Sequence, residues 1–246
     1  MKKNQIILQV ALASLLLTPN AYSQPDSLSI AVEIGLKGRW QTGNLNQLAI
    51  NPDASLVLSK AAFSSEVQAS YQYLRVNGFV AISDFWTMGI LRHRPNRTLF
   101  PMLATNYGFA KSYKIDHSFL IGPGVGINLY NNSPGDFLRV QVFAGYMNIK
   151  FESKDPHSTA AIGTISQSAF SISKRMNIAW DFQTYNPGLD AEYWGFNNRI
   201  IIHYMVIKNM SLNLGHTVIF NNKTVASIKK TNGLMLFGIQ YIYKNP

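Results

Sequence analysis

Residues 115–151 constrain the fold more than any other part of the chain, because apolar side chains alternate there with polar or small ones. A period of two is typical of extended strands that present one apolar and one polar face. The turn formers Asn-Asn-Ser-Pro-Gly-Asp at 131–136 divide the stretch into the two arms of a hairpin. Each arm is about 14 residues long, whereas strands of soluble domains usually have about 5–6. Such long strands favour a β-barrel in lipid.

The same alternation recurs along the chain and predicts an all-β, antiparallel transmembrane barrel of about 12 strands. The predicted strands are 28–42, 46–59, 63–75, 79–93, 97–111, 115–130, 137–151, 159–173, 176–185, 193–207, 210–221 and 231–243. Pro52 predicts a bulge or an irregular ladder position in the second strand. Asp84 shares its parity with the apolar residues Trp86, Met88 and Ile90, so either Asp84 faces inward past a bulge or the register differs there.

The joins between strands are uneven in length. If the N-terminus is periplasmic, the joins at 60–62, 94–96, 130–135, 174–175 and 208–209 are periplasmic, and they are short. The longer joins 152–158, 187–192 and 222–230 then all lie on the extracellular side, as in bacterial outer-membrane barrels. An ordinary soluble β-sandwich would also alternate, although its strands would usually be shorter.

The N-terminus predicts export. Lys2 and Lys3 precede a short apolar run at 6–17, and the small residues Ala21 and Ser23 follow it. This order is typical of a secretory signal peptide, here residues 1–23, cleaved after Ser23. A short N-terminal anchor is the alternative. Residues 24–246 would then form one barrel in the cell outer membrane of a Gram-negative bacterium.

Composition limits the chemistry and the partners. The chain has no Cys, which excludes disulfides and thiolate metal sites. Its formal net charge is +10, but the basic residues are scattered through strands and turns, so nucleic acid is not an expected partner. The expected partners are outer-membrane lipids, the barrel assembly machinery during biogenesis, and small polar or anionic solutes.

No motif predicts catalysis, a cofactor or a metal. The glycines of 122–126 lack the strand–turn–helix setting of a phosphate loop, and we expect them to relieve crowding on the inner face. The adjacent pairs His117-Ser118 and His157-Ser158 would point to opposite faces of a strand, so neither joins a nucleophile to its base. No His pair has the spacing of a metal site. We therefore expect a protein that is not an enzyme.

The candidate site is the set of charged or titratable side chains on the predicted inner faces. These candidate lumen-lining residues are Glu33, Lys37, Arg39, Glu66, Arg139, Asp181, Arg199 and His203. They could pair across the lumen and fill it, or line a narrow, mildly basic passage for small polar or acidic solutes. The first interpretation predicts a closed structural or adhesive barrel that acts through its extracellular loops. The second predicts a channel with a weak anion preference.

One segment carries a family resemblance. Residues 35–44, Gly-Leu-Lys-Gly-Arg-Trp-Gln-Thr-Gly-Asn, resemble the first strand and turn of the salt-induced outer-membrane protein family, domain of unknown function 481. The similarity continues through Ser-Asp-Phe at 83–85, the basic stretch 92–97 and the glycines of 122–126. It implies an outer-membrane β-barrel over most of 28–245, without a known reaction or ligand, so that no site residues can be transferred.

Overall fold

A computed structural model of the protein describes residues 28–41, 47–132, 135–152, 155–187, 194–222 and 230–244. The predicted signal peptide lies outside the described residues. Within them the chain forms twelve strands and one short 3-10 helix. The elements are β1 (Ser29–Gln41), β2 (Gln47–Lys60), β3 (Phe63–Val76), β4 (Phe79–His93), β5 (Leu99–Ala110), η1 (Lys111–Tyr113), β6 (Ile115–Asn132), β7 (Asp136–Phe151), β8 (His157–Ser173), β9 (Met176–Pro187), β10 (Gly195–Ile207), β11 (Met210–Asn221) and β12 (Thr231–Lys244).

Every strand pairs antiparallel with its sequence neighbours, and β12 pairs with β1 to close the barrel. The closing register sets Ala31 opposite Lys244 and Gly38 opposite Phe237. This arrangement confirms the predicted all-β barrel of twelve strands and contradicts a two-sheet sandwich. No helix among the described residues is long and apolar enough to cross a membrane.

Along most strands, apolar side chains face outward and polar side chains face inward, which is the reverse of a soluble protein. Outward side chains are apolar and exposed, as for Leu36 at 59% and Phe237 at 62%, whereas the inward Lys37 is 4% exposed. The alternation of the sequence thus separates an apolar outer surface from a polar interior along most strands. Such an outer surface suits contact with lipid hydrocarbon.

The connections at the two ends of the barrel differ in length. One end carries the joins 61–62, 94–98, 133–135, 174–175 and 208–209, and the other carries 42–46, 77–78, 111–114, 152–156, 188–194 and 222–230. The longest joins therefore share one end, although 77–78 at that end is a two-residue turn. Asn77 and Gly78 both have positive φ, 48° and 89°, as tight hairpins require. We call the first set the short-turn end and the second the long-loop end.

The structure settles the strand register at Pro52 and at Asp84, the two positions where the sequence left alternatives. At Pro52 the β2–β3 ladder passes from the pair Ile50–Tyr73 to the pair Asp53–Ser70 without a change in register. Pro52 thus interrupts the ladder and adds no bulge, because proline lacks the N–H that the ladder needs.

Asp84 faces inward, but the residues that share its parity do so as well. Asp84, Met88 and Ile90 are all buried, and Trp86 lines the barrel interior. The register shift lies before Asp84, between the pairs Leu74–Ile82 and Arg75–Val80. On this strand the apolar residues therefore face the interior together with Asp84, because part of the barrel interior is itself apolar.

Gly126 makes room for an aromatic ring on the inner face, as predicted for the glycines of 122–126, and Gly163 does the same on β8. The ring of Phe100 lies against Gly126 on the neighbouring strand, and the ring of Phe143 lies against Gly163. A Cβ atom at either glycine would overlap the ring. The interior can therefore hold large rings without widening the barrel.

Candidate functional site

The barrel interior contains a cavity of about 450 Å³, which we call the vestibule. Its lining includes Pro95 and Asn96 of the β4–β5 connection, and Ser59 and Ser64 beside the β2–β3 turn. The vestibule therefore reaches the short-turn end of the barrel.

The structure brings most of the predicted lumen residues together. Those that line the vestibule are Glu33, Glu66, Arg139, Asp181, Arg199 and His203. Lys37 is buried beside it and lines an adjacent cavity of about 50 Å³. Arg39 lies at a position of β1 that faces Ala49 of β2, but its side chain lies outside the described residues.

Three ion pairs neutralise most of these charges. Arg92 Nη1 lies 2.7 Å from Glu66 Oε2, and Arg199 Nη2 lies 2.7 Å from Asp181 Oδ2. The third pair joins the side chains of Lys37 and Asp53. Sequence reasoning omitted Arg92 and Asp53, one cation and one acid, and its single excess positive charge is Arg39, whose side chain lies outside the described residues. The described lining of the vestibule and of the adjacent cavity carries four acids and four cations, Glu33, Asp53, Glu66 and Asp181 with Lys37, Arg92, Arg139 and Arg199.

Buried amides connect the ion pairs. Arg92 donates from Nε to Gln141 Oε1 over 2.8 Å and from Nη2 to Gln167 Oε1 over 2.9 Å. Gln167 Nε2 donates in turn to Glu66 Oε1 at 3.1 Å and to Asp181 Oδ1 at 3.4 Å. Burying charge away from water costs several kcal/mol per ion unless such hydrogen bonds offset it. The network therefore fixes these charges to the wall and leaves the vestibule open between them.

Arg139 stands apart from this network. Its guanidinium carbon lies 4.4 Å from the centre of the Phe137 ring, a cation–π contact. Its Nε is buried and has no hydrogen-bond partner in the described part of the chain. Among the described residues Arg139 makes no ion pair.

Glu33 is the acid of the vestibule lining that has no ion pair with a described residue. Its Oε2 accepts a hydrogen bond from Gln240 Nε2 at 2.8 Å. Gln240 Oε1 accepts from Asn213 Nδ2 at 2.6 Å, and the Oδ1 of Asn213 lies 2.9 Å from His203 Nδ1. Within the described part of the chain Glu33 forms no ion pair. The carboxylate is thus held in place by a chain of neutral groups.

Another part of the interior is filled by apolar side chains. This apolar cluster consists of Met88, Ile90, Met102, Ala104, Ala110, Tyr113, Ile115, Leu120, Phe143, Met147, Ile149, Phe151, Ala161, Ile165 and Ile219, with Trp86 and Tyr185 packed against it. Several members, such as Tyr113 and Phe151, belong to η1 or to strand ends at the long-loop end.

A second interior cavity of about 80 Å³ lies among the residues of this cluster. Its lining shares Trp86, Met88, Asn106, Gln183 and Asn197 with the vestibule. The two cavities therefore adjoin at these five residues, which we call the constriction.

The η1 turn folds toward the interior over the apolar cluster. The Asp84 carboxylate, 1% exposed, accepts a hydrogen bond from the backbone N of Ser112 at 3.1 Å and another from its hydroxyl. The adjacent Tyr113 is buried, and its hydroxyl donates to the carbonyl of Ile219 at 3.5 Å. Burial, and next the negative charge of Asp84, raises the pKa of Tyr113 to about 12, so the phenol stays neutral. Sequence reasoning missed this contact.

The histidine and serine pair at 117–118 shows the predicted geometry. His117 Nε2 lies 2.9 Å from Asn148 Oδ1, whereas Ser118 lines the smaller interior cavity, so the two side chains use opposite faces. In the described ranges no three His, Asp or Glu side chains come together as metal ligands.

Comparison with solved structures finds membrane barrels. The NanC porin has a TM-score of 0.53 and 11% identity, covering 86% of this chain and 98% of that chain. The COG4313 outer membrane channel from Pseudomonas putida F1 has a TM-score of 0.46 and 9% identity over 93% of this chain and 100% of its own. The translocator domain of the autotransporter NalP from Neisseria meningitidis has 0.43 and 10%, over 97% and 95%.

At such low identity the likeness to the NanC porin shows the fold alone. No curated protein matches the sequence at a significant level. A sequence model of one family, however, matches residues 32–243, nearly the whole described barrel. The chain therefore belongs to the family described as "Protein of unknown function, DUF481", as the resemblance of its first strand and turn predicted.

Proposed function

We propose that this chain is a barrel of the bacterial outer membrane that acts as a narrow channel for small polar or acidic solutes. The exposed apolar outer face supports a place in a membrane, because it would be unfavourable in water. The barrel would reach that membrane after export by the predicted signal peptide and insertion by the barrel assembly machinery.

The observation that carries the proposal is the vestibule. A volume of about 450 Å³ lies within the range of about 300–1,000 Å³ typical of small-molecule sites. Its charged lining is held against the wall by ion pairs and amides, and Arg139 adds a cation without an acidic partner. A polar solute that enters from the short-turn end would therefore meet both charge and open space.

Passage through the barrel would require a solute to cross the constriction. Trp86 and Met88 contribute apolar surface there, beside the polar Asn106, Gln183 and Asn197. Apolar narrowings in channels can gate conduction by excluding water. A small conductance that increases when the constriction is widened is thus the expected behaviour.

The apolar cluster favours a second candidate, a closed barrel that acts through the connections at the long-loop end. Phe143, Met147 and Ile149 are almost fully buried in the lumen, as in the core of a soluble protein. In that case the vestibule would be a blind pocket, and the polar network would serve stability.

Single-channel conductance in planar bilayers separates the two candidates. We expect Met88→Ala to raise the conductance of the purified barrel, because it removes volume at the constriction. Met235→Ala is the matched control, since that methionine is 61% exposed on the outer face. No conductance from folded wild type and folded Met88→Ala alike would reject the channel in favour of the closed barrel.

The same recordings test the solute class. Fixed charges act on ions within about a Debye length, roughly 8–10 Å at ordinary salt. Arg139→Glu should therefore lower the permeability ratio of anions to cations. An unchanged ratio would remove the preference for acidic solutes from the proposal.

The location and the assembly have their own tests. Fractionation should recover the protein with outer membranes, and a soluble periplasmic form would refute this location. Deleting residues 231–246 removes β12, which joins β11 to β1, so we expect no folded barrel in the membrane. A heat-dependent shift on detergent gels reports the folded form.

A further inference from the structure

Two opposite charges in the vestibule are left over after its ion pairs are formed. Arg92 with Glu66, Arg199 with Asp181, and Lys37 with Asp53 neutralise one another. Arg139 and Glu33 line the same vestibule, and neither makes an ion pair with a described residue. The vestibule thus presents one cation and one anion that are available to a ligand.

The two charges lie on opposite walls. Glu33 is on β1 and Arg139 is on β7, and in the closed order of twelve strands these strands are equally far apart in both directions. Glu33 and Arg139 could therefore form an ion pair with each other only if one of the side chains crossed the lumen. A ligand that reaches both would have to extend across the vestibule.

The Arg139 side is built for a carboxylate. A guanidinium presents a planar fork of donors that matches the two oxygens of a carboxylate. The contact with the Phe137 ring supports the plane of that fork, and the buried Nε still lacks an acceptor. A buried donor without an acceptor carries a free-energy penalty, so an acceptor on the ligand would remove that penalty on binding.

The Glu33 side is built for a cation. The Oε2 of Glu33 accepts its hydrogen bond from Gln240, and the Gln240–Asn213–His203 chain fixes the carboxylate in position. Two cations act on Glu33 from a distance: Arg199, which is paired with Asp181, and Lys244, which is exposed at the end of β12. Solvent screens such an exposed charge, so Lys244 replaces a direct partner only weakly.

We propose that the vestibule binds small zwitterions, with the ligand carboxylate on Arg139 and the ligand ammonium on Glu33. The inference names the class of polar solute for the proposed channel. Binding itself does not depend on the channel, whereas passage of the bound zwitterion rests on the proposed function. A zwitterion compensates both charges at once and leaves the vestibule balanced. A simple anion would leave Glu33 unpaired and would meet the carboxylates of the other walls.

Binding to the purified, full-length barrel in detergent tests this proposal. The probes are linear ω-amino carboxylic acids from glycine to 6-aminohexanoate, and isothermal titration measures their affinity. Acetate and methylammonium serve as probes with one charge each. We expect one chain length to bind best, because the separation of the two walls is fixed, and to bind at least about tenfold more tightly than either single-charge probe.

Charge-removing variants assign the two ends of the ligand. Arg139→Gln and Glu33→Gln should each weaken the best zwitterion by about tenfold or more, since each removes one charged hydrogen bond. Lys174→Gln and Glu152→Gln are the matched controls, because both side chains are exposed outside the lumen. Each control variant should bind the best zwitterion with the affinity of the wild type. Arg139→Lys keeps the charge without the fork, so it should weaken binding less than Arg139→Gln.

Three results would overturn the proposal. Acetate that binds as tightly as every zwitterion, with no effect of Glu33→Gln, would indicate a simple anion site. No detectable binding of any zwitterion to folded wild type would reject the site. An unchanged affinity in folded Arg139→Gln and Glu33→Gln would place the ligand elsewhere. Binding without conductance would leave the zwitterion site standing and reject only the channel.

Discussion

The vestibule and the apolar cluster fill the same barrel in two different ways. Around the vestibule, long charged side chains are paired and held near the wall, so that a cavity of about 450 Å³ remains. In the apolar cluster, Phe143 and Met147 pack against their neighbours and leave only about 80 Å³. Hydrogen-bonded networks keep their members at fixed distances, whereas dispersion and the hydrophobic effect favour the removal of all space. The interior is therefore wide where it is charged and tightly packed where it is apolar.

The two regions should also fail differently under mutation. Around the vestibule the vulnerable quantity is charge balance, because a buried ion without its partner is strongly unfavourable. In the apolar cluster the stability depends on side-chain volume, because close-packed side chains tolerate neither cavities nor added atoms. Four variants separate the loss of charge from the change of volume.

Arg92→Met removes a charge and keeps most of the volume. Glu66, Gln141 and Gln167 all lose a partner, and Glu66 remains buried as an unpaired acid. We expect the free energy of unfolding to fall by about 3–5 kcal/mol, measured by urea titration in lipid vesicles with tryptophan fluorescence. The double variant Arg92→Met with Glu66→Met should recover a large part of that loss. A loss as large in the double variant would attribute the effect to packing instead.

Gly163→Val adds volume to the apolar cluster and changes no charge. The new side chain would overlap the ring of Phe143, which has to move into occupied space. Overpacking of this kind typically costs about 1–3 kcal/mol, which the same titration would detect. Gly215→Ala is the control, because the nearest atom to its added Cβ is 3.7 Å away. Equal losses in the two variants would contradict tight packing against Phe143.

Tyr113→Phe tests whether a polar group inside the apolar cluster contributes to the free energy of unfolding. The variant removes the hydroxyl that donates to the Ile219 carbonyl over 3.5 Å and keeps the ring. Because this bond is long, we expect a loss of at most about 1 kcal/mol in the free energy of unfolding. A loss of several kcal/mol would show that the cluster depends on hydrogen bonding as the vestibule does.

Lys114→Ala breaks an ion pair of the same chemistry outside the lumen. Lys114 Nζ lies 3.7 Å from Glu152 Oε2, and both side chains are largely exposed. Exposed pairs contribute about 0–1 kcal/mol, and added salt should remove even that difference between variant and wild type. A loss comparable with that of Arg92→Met would mean that burial is not what makes the interior charges important.

Sequence reasoning predicted the barrel well because alternation and turn formers are local signals. On β12, Phe237 and Tyr241 face outward and Gln240 faces inward, as a period of two requires. Alternation separates the two faces of a strand, but it does not say which face is the lumen. Where the interior is itself apolar, as at Met88, the assumption that apolar faces contact lipid fails.

The candidate site was predicted in part. Glu66 and Arg199 were found from parity alone, whereas their neighbours Arg92 and Asp53 were not counted among the inward charges. A signal for Arg92 was present, since it shares the parity of Asp84 at the other end of the same strand. The pairing itself could not be predicted, because it depends on how twelve strands are staggered around the closed barrel. The contact of η1 with Asp84 depends on the same closure.

Gln167 has a consequence for how the barrel reaches its native alignment. Strand β8 is rich in serine, threonine, alanine and glycine, and small side chains of this kind distinguish poorly between alternative alignments of a strand. Gln167 is hydrogen-bonded to Glu66 and to Asp181, two acids from different ion pairs. A slip of β8 by two residues would put Ile165 or Ala169 in its place and would leave both acids without this donor. The amide thus favours the native alignment of β8 over a slip of two residues, because only the native alignment gives both acids this donor.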